Sequence, residues 1–92
     1  MISDITIIIP THERHHLLRR ALNYYSSINV SVLIVDSSIR AFKEKTPKNI
    51  NYLHLADAIM GEKIYAALYE INTSFVCLCA DDDFLSENGL KQ

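Results

Sequence analysis

Val30-Ser31-Val32-Leu33-Ile34-Val35, followed by Asp36-Ser37-Ser38, is the stretch that decides the fold. Its apolar character is nearly continuous rather than alternating. A strand of that kind has apolar neighbours on both faces, as in a parallel sheet covered by helices on each side. The polar triplet marks the point where it leaves the core.

The segments around it follow the same logic. Asp4 to Ile9 is a short β-rich run, and Pro10 predicts a turn because proline cannot donate to a central ladder. From Arg14 to about Tyr25, apolar residues at Leu17, Leu18, Ala21, Leu22 and Tyr25 form one face of a helix, with Thr11 as its expected N-cap. Ile39 to Lys48 is polar and basic, compatible with a short helix before Pro47. Ile50 to Leu55 alternates like an edge strand. Glu62 to Ile71 places Ile64, Ala67, Leu68 and Ile71 on one helical stripe. Phe75 to Ala80 predicts a buried fourth strand ending on Asp81-Asp82-Asp83, and Ser86 is placed to cap a last helix. Strands alternating with helices imply parallel strands joined by right-handed crossovers. The expected fold is therefore α/β, an open, mostly parallel sheet of about four strands with flanking helices, Rossmann-like in general type.

Composition narrows the function. The chain has 92 residues, read as a single domain over 1–92, of which 49% are apolar, with a formal net charge of −2. Such a chain buries roughly two-thirds of the surface that its unfolded form exposes. No basic stripe extends beyond Arg19-Arg20 and the group Lys43, Lys45 and Lys48, so binding to nucleic acid has little electrostatic support. The apolar runs are too short for a membrane span, and the N-terminus lacks a basic leader region. These features predict a cytoplasmic protein. Cys77 and Cys79 alternate along one strand and read as small buried hydrophobes, not as a disulfide or half a zinc site.

In an open α/β sheet, ligands bind beyond the carboxyl ends of the strands. Three polar endings meet that edge: Pro10-Thr11-His12-Glu13-Arg14, Asp36-Ser37-Ser38 and Asp81-Asp82-Asp83. Adjacent carboxylates repel one another, and a hard divalent cation on oxygen ligands relieves that repulsion. The only glycines are Gly61 and Gly89, so neither a dinucleotide-binding nor a P-loop glycine motif is present. A phosphate at this edge would need a cation instead of a close glycine backbone. Arg14 and Lys63 are further candidates to meet phosphate, although the usual fate of a lysine there is the solvated surface. His12, His15, His16 and His54 read as solvated, and Tyr24, Tyr25, Tyr65 and Tyr69 as core or boundary packing.

Ile7-Ile-Ile-Pro-Thr-His-Glu-Arg14, Leu33-Ile-Val-Asp-Ser-Ser38 and Cys79-Ala-Asp-Asp-Asp-Phe-Leu85 together resemble the start of a family 2 glycosyltransferase of GT-A fold, in order and over essentially the whole chain. The resemblance implies that Pro10, Thr11 and His12 lie against the base and ribose of a nucleotide sugar, with a UDP-sugar the usual donor. Asp36 would sit near the base, with Ser37 at a position where many members carry a second acid. Asp81, Asp82 and Asp83 match the family's Asp-x-Asp motif, which holds Mn²⁺ or Mg²⁺ on the diphosphate; the motif alone does not choose among the three. The family's catalytic base and acceptor site lie beyond Asp83, outside this sequence, so the acceptor is left open. The alternative is a non-catalytic nucleotide-binding or association module of the same fold. An uncovered strand edge would then support a homodimer.

Overall fold

The computed structural model describes residues 2–81, with side chains from residue 4 onward. Six elements follow in order: β1 (Ile2–Thr11), α1 (His15–Ser26), β2 (Val30–Asp36), β3 (Ile50–His54), α2 (Met60–Glu70) and β4 (Phe75–Leu78). The four strands form one sheet in the order β3-β2-β1-β4, and every pairing is parallel. The chain is thus an α/β protein with a Rossmann-like open sheet and a helix on each face. No helix among the described residues is long and apolar enough to cross a membrane.

The continuous apolar strands supply both faces. Ile7 and Ile9 of β1, with Val32 and Ile34 of β2 and Ile50 of β3, pack in one cluster with Leu18, Ala21, Leu22 and Tyr25 of α1. The residues between them, Ile8, Leu33 and Val35, turn to the other face and meet Ala67 of α2. This is the period-two alternation of a pleated strand, with both sets apolar because both faces are covered. Asn49 closes the sheet's amino edge: its side-chain amide donates to the carbonyls of Tyr25, Ile28 and Val30 at 2.8–3.0 Å.

Several sequence expectations need correction. Pro10 does not end β1; it pairs in register with Val35, and the strand continues to Thr11. The reason lies in the alternation of backbone direction. The carbonyl of Ile8 accepts from Cys79 N at 2.9 Å, on the β4 side, whereas the carbonyl of Thr11 accepts from Ser37 N on the β2 side. Pro10 shares parity with Ile8, so its missing N–H faces beyond the last residue of β4 and no bond to β2 is lost. Thr11, being in the strand, does not cap α1; Arg14 holds the N-cap position and makes no side-chain cap. The segment 39–49 contains no helix. β4 is shorter than expected and is exposed, with Phe75, Val76 and Leu78 all well exposed to solvent. Tyr65 and Tyr69 are likewise exposed and stack edge-on against each other, while Tyr25 is fully buried in the core. Ser86 and its predicted helix lie outside the described residues.

Candidate functional site

The carboxyl ends of the strands gather around Asp36-Ser37-Ser38, where β2 ends. The Asp36 carboxylate is fully buried, and it accepts from four donors. Ser38 N (3.0 Å) and Ser38 Oγ (2.5 Å) reach Oδ1, while Tyr52 Oη (2.5 Å) and His15 Nε2 (3.1 Å) reach Oδ2. A carboxylate offers about four lone-pair directions, so these partners use them all. Burial by itself pushes the Asp36 carboxyl up, but the bonds from Ser38, Tyr52 and His15 outweigh it and hold the pKa below the ordinary carboxylate value. The same pair acts on Tyr52: burial, then the hydrogen bond to Asp36, pushes its phenol up to about 12.

Each neighbouring element fastens part of this triplet. From the β1–α1 loop, His12 Nδ1 lies 2.9 Å from Ser37 Oγ, and Glu13 N donates to Ser38 Oγ at 2.7 Å. From β3, His54 Nε2 donates to the Ser38 carbonyl at 2.7 Å. The segment after β3 adds Leu55 N to the Asp36 carbonyl and Asp57 N to the Ser37 carbonyl, both at 2.8 Å. From α2 comes Lys63, which is buried rather than solvated: its Nζ donates to the Thr11 carbonyl (3.2 Å) and to Ser37 Oγ (3.0 Å). No carboxylate among the described residues pairs with this ammonium. A buried cation held only by neutral oxygens is well placed to gain from an anionic neighbour.

The second centre lies where β1 and β4 end. Thr11 Oγ1 donates to Asp81 Oδ2 at 2.7 Å, and Arg14 Nη1 lies 3.0 Å from Asp81 Oδ1. Asp81 is buried, while the Arg14 side chain is half exposed. Thr11 joins the two centres, since its carbonyl takes Lys63 and its hydroxyl takes Asp81. Among the predicted site residues, Thr11, His12, Arg14, Asp36, Ser37, Lys63 and Asp81 are thereby linked into one bonded network. Pro10 stands beside it in β1 with its side chain half-buried. Asp82 and Asp83 lie outside the described residues.

Both oxygens of the Asp81 carboxylate are partnered, one by the Arg14 guanidinium and one by the Thr11 hydroxyl, so its charge is compensated within the chain. Among the described residues no three His, Cys, Asp or Glu side chains come together as a metal cluster. Sequence reasoning did not find His15, Tyr52 or His54, because their roles depend on register and helix placement. Tyr52 stands beside Ile34 in the sheet, which brings it to the side of α1 that carries His15. His12 and His16 are exposed as expected, whereas His15 is only partly so. Comparison with protein-family models, with curated proteins and with solved structures finds no match.

Proposed function

We propose that this chain is the nucleotide-sugar-binding part of a GT-A-type glycosyltransferase. The observation that carries the reading is the Thr11-centred network at the carboxyl edge, where two cationic side chains, Arg14 and Lys63, stand on either side of one strand ending. A sheet edge without a glycine-rich loop must meet a diphosphate with charge, and this edge carries it. In the reaction, an acceptor hydroxyl forms a bond to the anomeric carbon while the bond to the nucleoside diphosphate breaks. The hydroxyl proton passes to a carboxylate base supplied from outside this sequence. Asp81, with Asp82 and Asp83, would hold Mn²⁺ or Mg²⁺, which offsets the charge gathering on the leaving diphosphate. Asp36 serves differently from the base contact that the family likeness implies. With its oxygens already bonded, it locks the backbone and hydroxyl of Ser38 and so holds the strand ending in shape, rather than meeting the ligand itself.

Calorimetric titration of UDP, with and without Mn²⁺, tests this reading. Binding that needs the metal and falls at least about tenfold in Asp81→Asn and in Lys63→Met supports it. Absence of binding by a chain that circular dichroism shows to be folded would sink it.

A second reading is favoured by one specific observation. Phe75, Val76 and Leu78 leave apolar surface on an edge strand, which suits an association module that pairs β4 with a second copy. Sedimentation velocity over a hundredfold concentration range discriminates: a monomer throughout removes this alternative.

A further inference from the structure

The charge of Lys63 lies beneath the surface of the carboxyl edge. The residue is 5% exposed, and its ammonium donates to the Thr11 carbonyl at 3.2 Å and to Ser37 Oγ at 3.0 Å. Ser37 is buried as well. Among the described residues, the exposed side chain bonded to this pair is His12, whose Nδ1 lies 2.9 Å from Ser37 Oγ. A buried cation, a buried hydroxyl and a surface imidazole therefore stand in line.

The direction of these bonds follows from their protons. An ammonium only donates, so Ser37 Oγ accepts from Lys63 and has one proton of its own to give. Two acceptors compete for that proton, the Thr11 carbonyl at 3.3 Å and His12 Nδ1 at 2.9 Å. The Thr11 carbonyl already takes Ser37 N at 3.0 Å and Lys63 Nζ at 3.2 Å, which fill its two lone pairs. The Ser37 proton thus goes to His12, the nearer and unfilled acceptor. A neutral imidazole that accepts at Nδ1 carries its proton at Nε2. That nitrogen lies on the far side of the ring from Ser37, and among the described residues nothing bonds to it. The loop beneath the ring is held in place, since Glu13 N donates to Ser38 Oγ at 2.7 Å and Glu13 Oε2 accepts from Ile39 N at 2.6 Å.

We propose that His12 is the outer end of a donor chain, running from Lys63 through Ser37, and that its Nε2–H binds an anionic oxygen of the nucleotide. The inference rests on the reading of this edge as a nucleotide-sugar site. All the bonds point the same way, from the buried cation to the surface, so each polarises the next and strengthens the last donor. Lys63 acts on the ligand without touching it and is a positioning residue. His12 makes the contact. Held in one tautomer, it favours an acceptor and rejects a group that donates at the same point, because two donors would then face each other. His12 is in this way a specificity determinant of the site.

Nitrogen NMR shifts of the histidine rings in the free full chain, at about pH 8 where imidazoles are neutral, read the tautomer directly. His12 should be in the Nε2–H form, and Lys63→Met should move it towards a mixture. The Nδ1–H form, or a mixture in the parent chain, would overturn the proposal whatever the chain binds. Ligand contact is read by calorimetric titration of UDP, with and without Mg²⁺. His12→Phe should weaken UDP binding about tenfold, and His12→Gln, which restores an N–H donor, should recover part of that loss. Lys63→Met should weaken UDP about tenfold in the parent chain but less than about twofold in His12→Phe, because residues acting through one chain are not additive. An equal loss in both backgrounds means that Lys63 acts independently and overturns the chain. If the parent binds UDP and His12→Phe binds it equally well, the His12 contact is wrong and the site reading stands. A folded parent chain that binds no UDP sinks the site reading, and the ligand role of His12 with it.

Discussion

β2 and β4 are made of similar residues and live in different surroundings. Val30–Asp36 is buried almost throughout, whereas Phe75–Leu78, no less apolar, has three of its four residues exposed. Position in the sheet accounts for the difference. β2 lies between β3 and β1 and has α1 and α2 residues on its two faces; among the described residues β4 pairs with β1 alone, at one end of the order. Among the described residues, α2 packs over β1 and β2 and leaves Val76 and Leu78 uncovered on its side. Apolar composition thus predicts that a segment will be a strand. It does not predict that the strand will be covered.

The sharpest way to break this contrast is truncation at matched positions. Ile34→Ala, at a fully buried site of β2, should lower the unfolding free energy by about 3–4 kcal/mol. Leu78→Ala should cost less than about 1 kcal/mol, because its side chain is already largely in water. Urea denaturation of the two variants measures both, and equal losses would mean that β4 is covered after all.

The strand ends should differ in pH response. Asp36, at the end of β2, has its pKa lowered in the folded chain, so the unfolded chain binds that proton more readily. The stability it contributes is complete above about pH 5 and is lost as pH falls through the folded value. Tyr52 works at the other limit. Its phenol is held up to about 12 in the folded chain, so stability is present below about pH 10 and declines between there and 12. Tyr52→Phe should remove the alkaline decline and move the acid decline to higher pH, since Asp36 loses a donor. Denaturation midpoints across pH 2–12 check this; unchanged limbs would show that the Asp36–Tyr52 bond contributes nothing in solution.

A smaller effect separates the two ends of one short stretch. Cys79 is buried and lies 3.8 Å from Tyr25 Oη, while Cys77, within β4, is partly exposed. A thiol reagent under native conditions should modify Cys77 at least about tenfold faster than Cys79. Equal rates would mean that the Cys79 side of β4 opens as freely as its middle.

The legible part of the fold was the part set by periodicity. The run from Val30 to Val35, the stripe of α1 and the alternation of β3 each carry their own signal, and all three elements form where expected. Pro10 misled because a proline's effect depends on which neighbour its nitrogen faces, and that is settled by strand order. Lys63 misled in the opposite direction. A lysine in the first turns of a helix is ordinarily solvated, but α2 directs this one at Thr11 and Ser37. The site was half legible: polar strand endings converge by topology alone, so Thr11, Asp36, Ser37 and Asp81 could be named. His15 and Tyr52 could not, because they reach Asp36 only through a sheet register and a helix placement that no local pattern encodes.

The bond between Thr11 and Asp81 joins residues 70 apart in the chain. Closing so long a loop is entropically slow, whereas β1 and β2 need only the short α1 crossover between them. During folding, then, the β2 side of the site is expected to be complete while its β4 side is still being gathered in. A ligand that touches both Thr11 and Asp81 would act on that final step, raising by mass action the share of molecules in which β4 is docked.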